Sequence, residues 1–423
     1  MGCLAAGLLA AAPGMQAVAG TAATAHPARR ASFVSFKSFM AATSAARYGS
    51  GSAVRGARSF DQMRSYILAT YRGVQVRHSY VYGGEYFDCI TTRSQPSVRD
   101  QGIKTIARAP RAAAAARPSG RAAVSPLTLG LRDRYGDAVS CPAGTIPMLR
   151  MSLARMTRFP TLADYLAKSP GGKARQALIK PGTAHRYAYG SQGVTNYGGN
   201  STLNIWNPSG PFTLAQQWYV NGSGAGTQTV EGGWVHYPAK FGSKSVLFIF
   251  STPNDYSSGC YNLECAGFVQ TSSSVALGGP FSNYSTHGGT QYIFGLQWQY
   301  YAGNWWMFYS GSPVGYYPGS VFHGGPMATN SALTEYGGEA YTSGADWPQM
   351  GSGKFASAGW TQAAFQNTIF YIGHNSTGGN VAIWSSLNPV ETNPACYTIS
   401  YTGSASGGSW GTYFYFGGPG GHC

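Results

Sequence analysis

Two glutamates of the C-terminal half lie in surroundings that are unusual for a carboxylate. Glu231 lies within the β-branched and aromatic run 229–238 and is followed by two glycines and Trp234, while Glu339 follows another glycine pair inside 336–341. Strands favour β-branched and aromatic residues and are weakened by glycine and by acids. We therefore predict that something approaches the backbone closely at each glycine pair. Our hypothesis is that Glu231 and Glu339 converge in a cleft and hydrolyse peptide bonds at acid pH.

Two carboxyl groups can share the work of amide hydrolysis. An ionised carboxylate activates a water, and a neutral carboxylic acid gives a proton to the carbonyl oxygen or leaving nitrogen. When two carboxyls are close, like charge raises the pKa of one of them, so the pair holds one proton at acid pH. Gln216 is our candidate donor to the developing oxyanion, because a regular strand places it on the same face as Trp218. The aromatic candidates for substrate binding are Trp218, Trp234, Trp305, Trp306, Tyr316 and Tyr317.

Other residues compete for these roles. Glu335 shares a strand face with Glu339 by alternation, so it is an alternative partner for Glu231. Glu264, between Cys260 and Cys265, is expected to be an exposed loop residue. Tryptophans and tyrosines are individually more often packing residues than substrate contacts. Trp305 and Trp306 must face opposite ways if extended, so at most one can line a cleft.

Charge is divided sharply along the chain. The 423 residues carry a net charge of +15, yet from residue 185 onward there are only four cations and seven acids. The basic character therefore belongs to the N-terminal half, whose Ala/Arg-rich runs lack the aromatic interleaving or fold motif of a nucleic-acid-binding domain. We expect no nucleic-acid partner, and we interpret the basic half as a partner for an acidic cleft in the same chain. A domain with few carboxylates to protonate should also tolerate acid.

The spacing of short strands predicts an all-β fold from residue 185 to 423, an antiparallel β-sandwich. Ten alternating runs separated by Gly, Asn, Ser or Pro turns carry this prediction: Thr202–Trp206, Phe212–Val220, Thr227–Tyr237, Ser245–Phe250, Ala266–Thr271, Tyr292–Tyr301, Trp305–Tyr309, Thr368–Ile372, Val381–Ser385 and Thr412–Phe416.

The N-terminal half is predicted to be a smaller mixed α/β region over residues 26–184. It has a helical pattern at Phe60–Thr70, a strand pattern at Val74–Tyr82, an Ala/Arg/Pro/Gly-rich insertion at 105–130 and a linker-like end. Residues 1–25 resemble a signal peptide whose basic n-region is missing, as a truncated start would produce. The apolar run is too short to cross a bilayer, so we expect a secreted protein with no membrane association.

Seven cysteines mark the chain. Cys3 falls in the signal segment, which leaves an even number, as expected in an oxidising compartment. The candidate pairs are Cys260–Cys265, Cys396–Cys423 and Cys89–Cys141. The cysteine and histidine spacings do not fit a zinc site, and we expect neither a metal nor another cofactor.

Several motifs together resemble the neprosin family of glutamic peptidases. Those of the C-terminal half are His185–Gly190, Leu203–Pro208, Gln216–Trp218, Val230–Trp234 with Tyr237–Pro238, Gly259–Gln270, Gly303–Trp306, Gly315–Pro318, Gly337–Glu339 and Met350–Phe355. Upstream, Phe87–Ile90 with Ser94–Pro96, and Cys141–Pro147, resemble the family's activation region, although the Ala/Arg insertion between them departs from it. The resemblance implies a β-sandwich peptidase, made as a zymogen, active at low pH and cleaving after proline, with Glu231 and Glu339 as the catalytic glutamates.

The resulting hypothesis is a secreted endopeptidase whose basic pro-region covers its own cleft. Arginines of the pro-region would pair with the catalytic carboxylates until acid weakens the pairing, and Pro170 and Pro181 are candidate self-cleavage points. The expected partners are a polypeptide substrate, rich in proline, and the pro-region acting as inhibitor. Two alternatives remain open: a glycoside hydrolase with paired carboxylates on a β-sandwich, and a non-catalytic carbohydrate- or wall-binding module.

Overall fold

Antiparallel strands make up most of the chain in the computed structural model, which describes residues 33–49, 53–113, 123–124, 131–170, 185–401 and 410–423. Ser35–Cys423 form one compact unit, to which the described helices and strands all belong. The predicted signal peptide, Cys3 and Pro181 lie outside the described residues. No helix within the described ranges is long and apolar enough to cross a membrane.

Helices lie mainly before residue 170. They are α1 (Phe36–Ala45), α2 (Ala57–Thr70), α3 (Pro96–Asp100), α4 (Leu153–Met156) and α5 (Leu162–Leu166), and α6 (Pro238–Phe241) follows later. Helix α2 confirms the predicted helix and buries Phe60, Met63 and Ile67, whose spacing places them on one face. This face packs with a small antiparallel sheet, ordered β1 (Val76–Tyr82), β2 (Glu85–Thr91), β4 (Thr145–Leu149). Strand β1 confirms the strand predicted at Val74–Tyr82.

Two larger sheets contain the strands of the C-terminal half. The first has the order β10 (Cys260–Tyr261), β9 (Val246–Thr252), β8 (Gln228–His236), β7 (Phe212–Asn221), β15 (Ser331–Tyr341), β5 (His185–Asn196), β18 (Asn388–Glu391). The second has the order β11 (Val269–Gln270), β14 (Ser312–Pro318), β13 (Asn304–Tyr309), β12 (Tyr292–Tyr301), β6 (Gly198–Asn204), β16 (Ala364–His374), β20 (Phe414–Gly417), β19 (Thr398–Tyr401). Strand β17 (Asn380–Trp384) pairs with β16, and β3 (Ala123–Val124) pairs in parallel with β12.

The two large sheets pack face to face, as the predicted β-sandwich requires. The buried side chain of Gln217 on β7 crosses between them and donates to Ser201 Oγ on β6 and to the Leu296 carbonyl on β12, at 2.8 and 2.7 Å. All ten predicted strand runs overlap an observed strand. Every residue of β8 is buried, because one face meets the second sheet while the N-terminal region covers the other. A strand buried on both faces loses simple in–out alternation.

The three cysteine pairs predicted from the sequence are all disulfides. Cys89–Cys141, Cys260–Cys265 and Cys396–Cys423 have Cα–Cα distances of 5.3, 6.0 and 5.5 Å. Cys260–Cys265 closes a tight loop after β9, and Cys396–Cys423 ties the chain end to the segment before β19. Cys89–Cys141 links β2 to the segment before β4.

Candidate active site

Three adjacent strands, β8, β7 and β15, bring the two predicted glutamates onto one face. Glu231 lies opposite Trp218 of β7, and Glu339 lies opposite Leu214 of the same strand. Side chains alternate between faces along a strand, so Trp218, Gln216 and Leu214 share the face on which both glutamates lie. Gln216 therefore projects between the two glutamates.

The glycines beside the glutamates allow close packing by the protein itself. A Cβ on Gly233 would lie 2.0 Å from the Ala215 carbonyl oxygen of the adjacent strand, and one on Gly338 would lie 2.6 Å from the Met350 sulfur. The predicted close approach is therefore observed, but the approaching groups belong to a neighbouring strand and to the core.

One buried lysine bridges the two glutamates. Lys168 Nζ lies 2.5 Å from Glu231 Oε2 and 3.2 Å from Glu339 Oε2, and all three side chains are almost inaccessible to solvent. Because the two distances share the Nζ atom, the carboxylate oxygens can be no farther apart than the sum of 2.5 and 3.2 Å, which is 5.7 Å. One small polar group, such as a water, can contact both carboxylates across that gap.

Glu231 accepts hydrogen bonds from three neighbouring side chains. Gln216 Nε2 donates to Oε2 at 2.8 Å, while Thr229 Oγ1 and Tyr256 OH donate to Oε1 at 2.6 and 2.5 Å. Tyr256 has a left-handed backbone with φ of 58°, a conformation that costs free energy for a non-glycine residue and is often found at functional sites. These contacts fix the orientation of the Glu231 carboxylate.

Glu339 is held by a histidine and a tyrosine of β5. His185 Nδ1 lies 2.8 Å from Glu339 Oε1 and Tyr187 OH donates to the same oxygen at 3.4 Å, while His185 Nε2 lies 3.3 Å from Ser169 Oγ. Burial alone raises the pKa of Glu339, but the charge of Lys168 and the hydrogen bond from His185 outweigh it and lower that pKa to about 2. Glu339 is therefore ionised in this arrangement.

The segment that carries Lys168 is anchored in the same region. The Lys168 carbonyl accepts a hydrogen bond from Tyr261 OH at 2.5 Å. The ammonium group lies 5.4 Å from the ring centroids of both Trp218 and Tyr256, within the range of cation–π attraction. Lys168 is thus held by ion pairs, by two aromatic faces and through its backbone.

Of the residues predicted to bind substrate, Gln216 and Trp218 lie at the glutamates and the other aromatic residues lie elsewhere. Trp234 and Trp305 donate their ring N–H groups to the Asn204 and Met327 carbonyls in the interior. Trp306 and Tyr316, with ring centroids 4.6 Å apart, pack against residues of the N-terminal region. Tyr317 stacks on Trp298. The prediction that Trp234, Trp305, Trp306, Tyr316 and Tyr317 line the substrate site is therefore corrected. The aromatic residues beside Glu231 and Glu339, the pair called the dyad from here on, are Trp218 and Tyr256. Trp305 and Trp306 do face opposite ways, as expected.

Three further expectations are decided by the contacts. The cation between the glutamates is a lysine, whereas arginines were expected. Lys168 contacts Glu231 and Glu339, which favours Glu339 over Glu335 as the candidate partner of Glu231; Glu335 lies opposite Trp218 on the neighbouring strand. Glu264 is buried and paired with Lys240 at 2.8 Å, so the expectation of an exposed loop residue is wrong.

Sequence reasoning missed the residues that hold the glutamates in place. They are Lys168, His185, Tyr187, Thr229, Tyr256 and Tyr261. His185 and Tyr187 lie inside the motif His185–Gly190, so the sequence did indicate that they could lie near the site. No sequence motif indicated Lys168, which precedes the linker, or Tyr256, which lies in an irregular loop. Among the described residues, no cluster of three or more His, Cys, Asp or Glu side chains could hold a metal ion.

Comparison with known proteins agrees with the resemblance found in the sequence. The profile of the neprosin family matches residues 209–419, a span that contains Glu231 and Glu339. Among solved structures, the crystal structure of scytalido-glutamic peptidase with a transition-state analogue inhibitor aligns with 55% of this chain and 97% of its own, at 11% identity and a TM-score of 0.30. That similarity is too low to carry an argument. On the family match, the chain belongs to the neprosin family of glutamic peptidases.

Proposed function

We propose that this peptidase is a secreted, acid-active endopeptidase made as a zymogen, which cleaves after proline using a water activated by Glu231 and Glu339. The observation that carries the proposal is the position of Lys168 Nζ, within 3.2 Å of both carboxylates. A cation there offsets part of the negative charge of the two carboxylates and occupies the point at which a water could contact both groups. The three disulfides support export to an oxidising compartment.

In the active form, one carboxylate takes a proton from the water while the other gives a proton to the leaving nitrogen. Each of these proton transfers accelerates hydrolysis by about 10²- to 10⁴-fold. Gln216 Nε2 has two N–H donors and uses one on Glu231. The second is our proposed donor to the oxyanion, an interaction worth about 3–4 kcal/mol in comparable sites.

Acid would weaken the contact that blocks the dyad. Glu339 has a pKa of about 2 in the folded chain against an ordinary value of 4.5. The stabilisation from this ionised group is therefore complete above about pH 4.5 and is lost as the pH falls toward 2. Protonation of Glu339 removes its attraction to Lys168, which would release the 165–170 segment from the two glutamates.

Cleavage after proline is supported by the family resemblance and by the course of the chain. Pro170 follows Lys168 by two residues and is exposed, so it lies near the dyad and at the start of the linker. Pro181, the other candidate self-cleavage point, lies outside the described residues. Scission at either one would separate the N-terminal region from the C-terminal sandwich.

The test follows the full-length chain through a shift from pH 7 to pH 3. Intact-mass analysis should show loss of the N-terminal piece, and the acidified protein should then cleave proline-containing peptides on the carboxyl side of proline. Glu231→Gln and Glu339→Gln should each lower the rate at least 100-fold. Glu391→Gln, at an exposed acid of the same domain, is the matched control and should retain the wild-type rate.

Three outcomes would contradict the proposal, the third being ligand binding without hydrolysis. One is an unchanged intact mass together with full peptidase activity at neutral pH, which would rule out latency. The second is release of reducing sugar from polysaccharide without proteolysis, which would favour the glycoside-hydrolase alternative. Ligand binding that neither Gln variant changes, with no hydrolysis by the wild type, would favour the non-catalytic module.

A further inference from the structure

A second buried ion pair lies near the dyad and has no part in the proposed hydrolysis. Lys240 Nζ lies 2.8 Å from Glu264 Oε2, and the two side chains are 0% and 4% exposed. Lys240 belongs to α6, directly after β8, and Glu264 lies in the loop closed by Cys260–Cys265. Burying two charged groups costs desolvation free energy unless each group has further hydrogen-bonding partners. The identity of those partners indicates a function for the pair.

Most of these further contacts come from one residue of the N-terminal region, Tyr165. Its hydroxyl donates to Glu264 Oε1 at 2.9 Å, its carbonyl accepts from Lys240 Nζ at 2.5 Å, and Lys240 Nζ lies 3.6 Å from its ring centroid. Burial raises the pKa of Tyr165 well above its usual range, so the phenol keeps its proton and acts as a donor. The pair thus contacts the hydroxyl, the ring and the backbone of one tyrosine.

Tyr165 lies close to the dyad along the same segment. It precedes Lys168 by three residues, a span of at most about 10 Å. Tyr261 connects the two places, because its hydroxyl donates to the Lys168 carbonyl and its ring centroid lies 5.2 Å from Lys240 Nζ. Lys240, Glu264 and Tyr261 all belong to the C-terminal sandwich, so cleavage at Pro170 or in the linker leaves them in place.

We propose that the site now filled by Tyr165 is a substrate subsite that selects a tyrosine side chain within three residues of the cleaved bond. The inference rests on the proposed endopeptidase function. Lys240 would bind a substrate carbonyl, which every residue offers, and would lie over an aromatic ring. Glu264 would accept the phenol proton, which distinguishes tyrosine from phenylalanine. The N-terminal region occupies this subsite with Tyr165 and the dyad with Lys168.

The test is a tyrosine scan with quenched fluorescent peptides. Each peptide carries one proline directly before the cleaved bond and a single Tyr at one of the five other positions within three residues of that bond, with a Phe version matched to each. The enzyme is the full-length chain after acidification. At one position, kcat/KM should be roughly 5- to 150-fold higher for Tyr than for Phe, because Phe leaves Glu264 without its hydrogen bond. Equal values at all five positions would overturn the subsite and leave the peptidase intact.

Two variants separate the roles of the pair. Glu264→Met should bring the Tyr-to-Phe ratio of kcat/KM to about 1. Lys240→Met should lower kcat/KM for all peptides about 10-fold, the loss expected for one hydrogen bond to a charged donor. Lys244→Met, at an exposed lysine four residues away, is the matched control and should change neither. A Tyr preference that persists in Glu264→Met would overturn the role of Glu264.

The peptide scan does not depend on the variants, because the wild-type chain alone decides whether a tyrosine position exists. Absence of cleavage of any peptide between pH 2 and pH 7 would overturn the proposed function and the subsite with it. Cleavage with no tyrosine preference would overturn the subsite alone. The two failures are therefore distinguishable.

Discussion

The substitution Lys168→Met tests how latency is maintained, because it removes the cation between the two carboxylates and keeps a side chain of similar length. Lys168 lies in the part of the chain that processing should remove. Wild type and variant would therefore release the same mature enzyme. Any difference in the onset of activity would reflect the zymogen alone.

The size of the effect follows from two features of the site. The lowering of the pKa of Glu339 from 4.5 to about 2 corresponds to about 3 kcal/mol, to which Lys168 and His185 both contribute. Two carboxylates up to 5.7 Å apart repel each other by about 3 kcal/mol at an effective dielectric constant of 20, once no cation lies between them. Both figures describe the same electrostatic effect and are not added. About 3 kcal/mol corresponds to roughly a 100-fold change in the population of the open form.

The assay follows hydrolysis of a fluorogenic proline peptide after the chain is transferred from pH 7 to a series of buffers down to pH 3. Lys168→Met should shorten the lag before activity at least 10-fold at pH 5, and processing should begin closer to neutral pH. Lys37→Met, at an exposed lysine of the same region, should keep the wild-type lag. Thermal unfolding at pH 7 shows whether the variant is folded before the transfer. A folded variant with the wild-type lag at every pH would refute the assignment of Lys168 as the group that blocks the dyad.

Three further predictions test the surroundings of the dyad and the stability of the fold. Tyr256→Phe removes a 2.5 Å hydrogen bond to Glu231 and should lower kcat about 10-fold with little change in KM, as steady-state kinetics of the processed enzyme would show; an unchanged kcat would contradict this. Replacing Cys396 and Cys423 by serine opens a loop that spans 27 positions and should lower the free energy of unfolding, measured by chemical denaturation, by roughly 3–4 kcal/mol. A decrease under 1 kcal/mol would contradict the loop-entropy explanation of this stabilisation. Burial lowers the pKa of His236 to about 4, so folding loses up to about 3 kcal/mol as the pH falls from 6.5 to 4. His236→Gln should reduce the drop in Tm between pH 7 and pH 4, and an equal drop would refute this.

Local patterns in the sequence were sufficient to predict the main strands and to select Glu231 and Glu339 as candidates. Runs rich in β-branched and aromatic residues between turn residues mark strands, and those at 212–220, 228–236 and 292–301 are long enough to be recognised in this way even though 228–236 is buried on both faces. Glu231 and Glu339 could be selected because the C-terminal half has only seven acids. The disulfide pairs were also correct, and one of them, Cys260–Cys265, joins cysteines only 5 positions apart.

Contacts between distant parts of the chain were decided only by the tertiary structure. Alternation gives the face on which a side chain lies, but it does not say which strands are neighbours, and the choice of Glu339 over Glu335 depends on strand order and register. Lys168 and Glu264 carry no sequence signal for burial, because a charged residue is normally exposed unless folding supplies a partner for it. Their partners lie 63 or more positions away for Lys168 and 24 for Glu264. The sequence alone thus determined a β-sandwich with two candidate catalytic acids, and folding determined that a lysine of the N-terminal region lies between them.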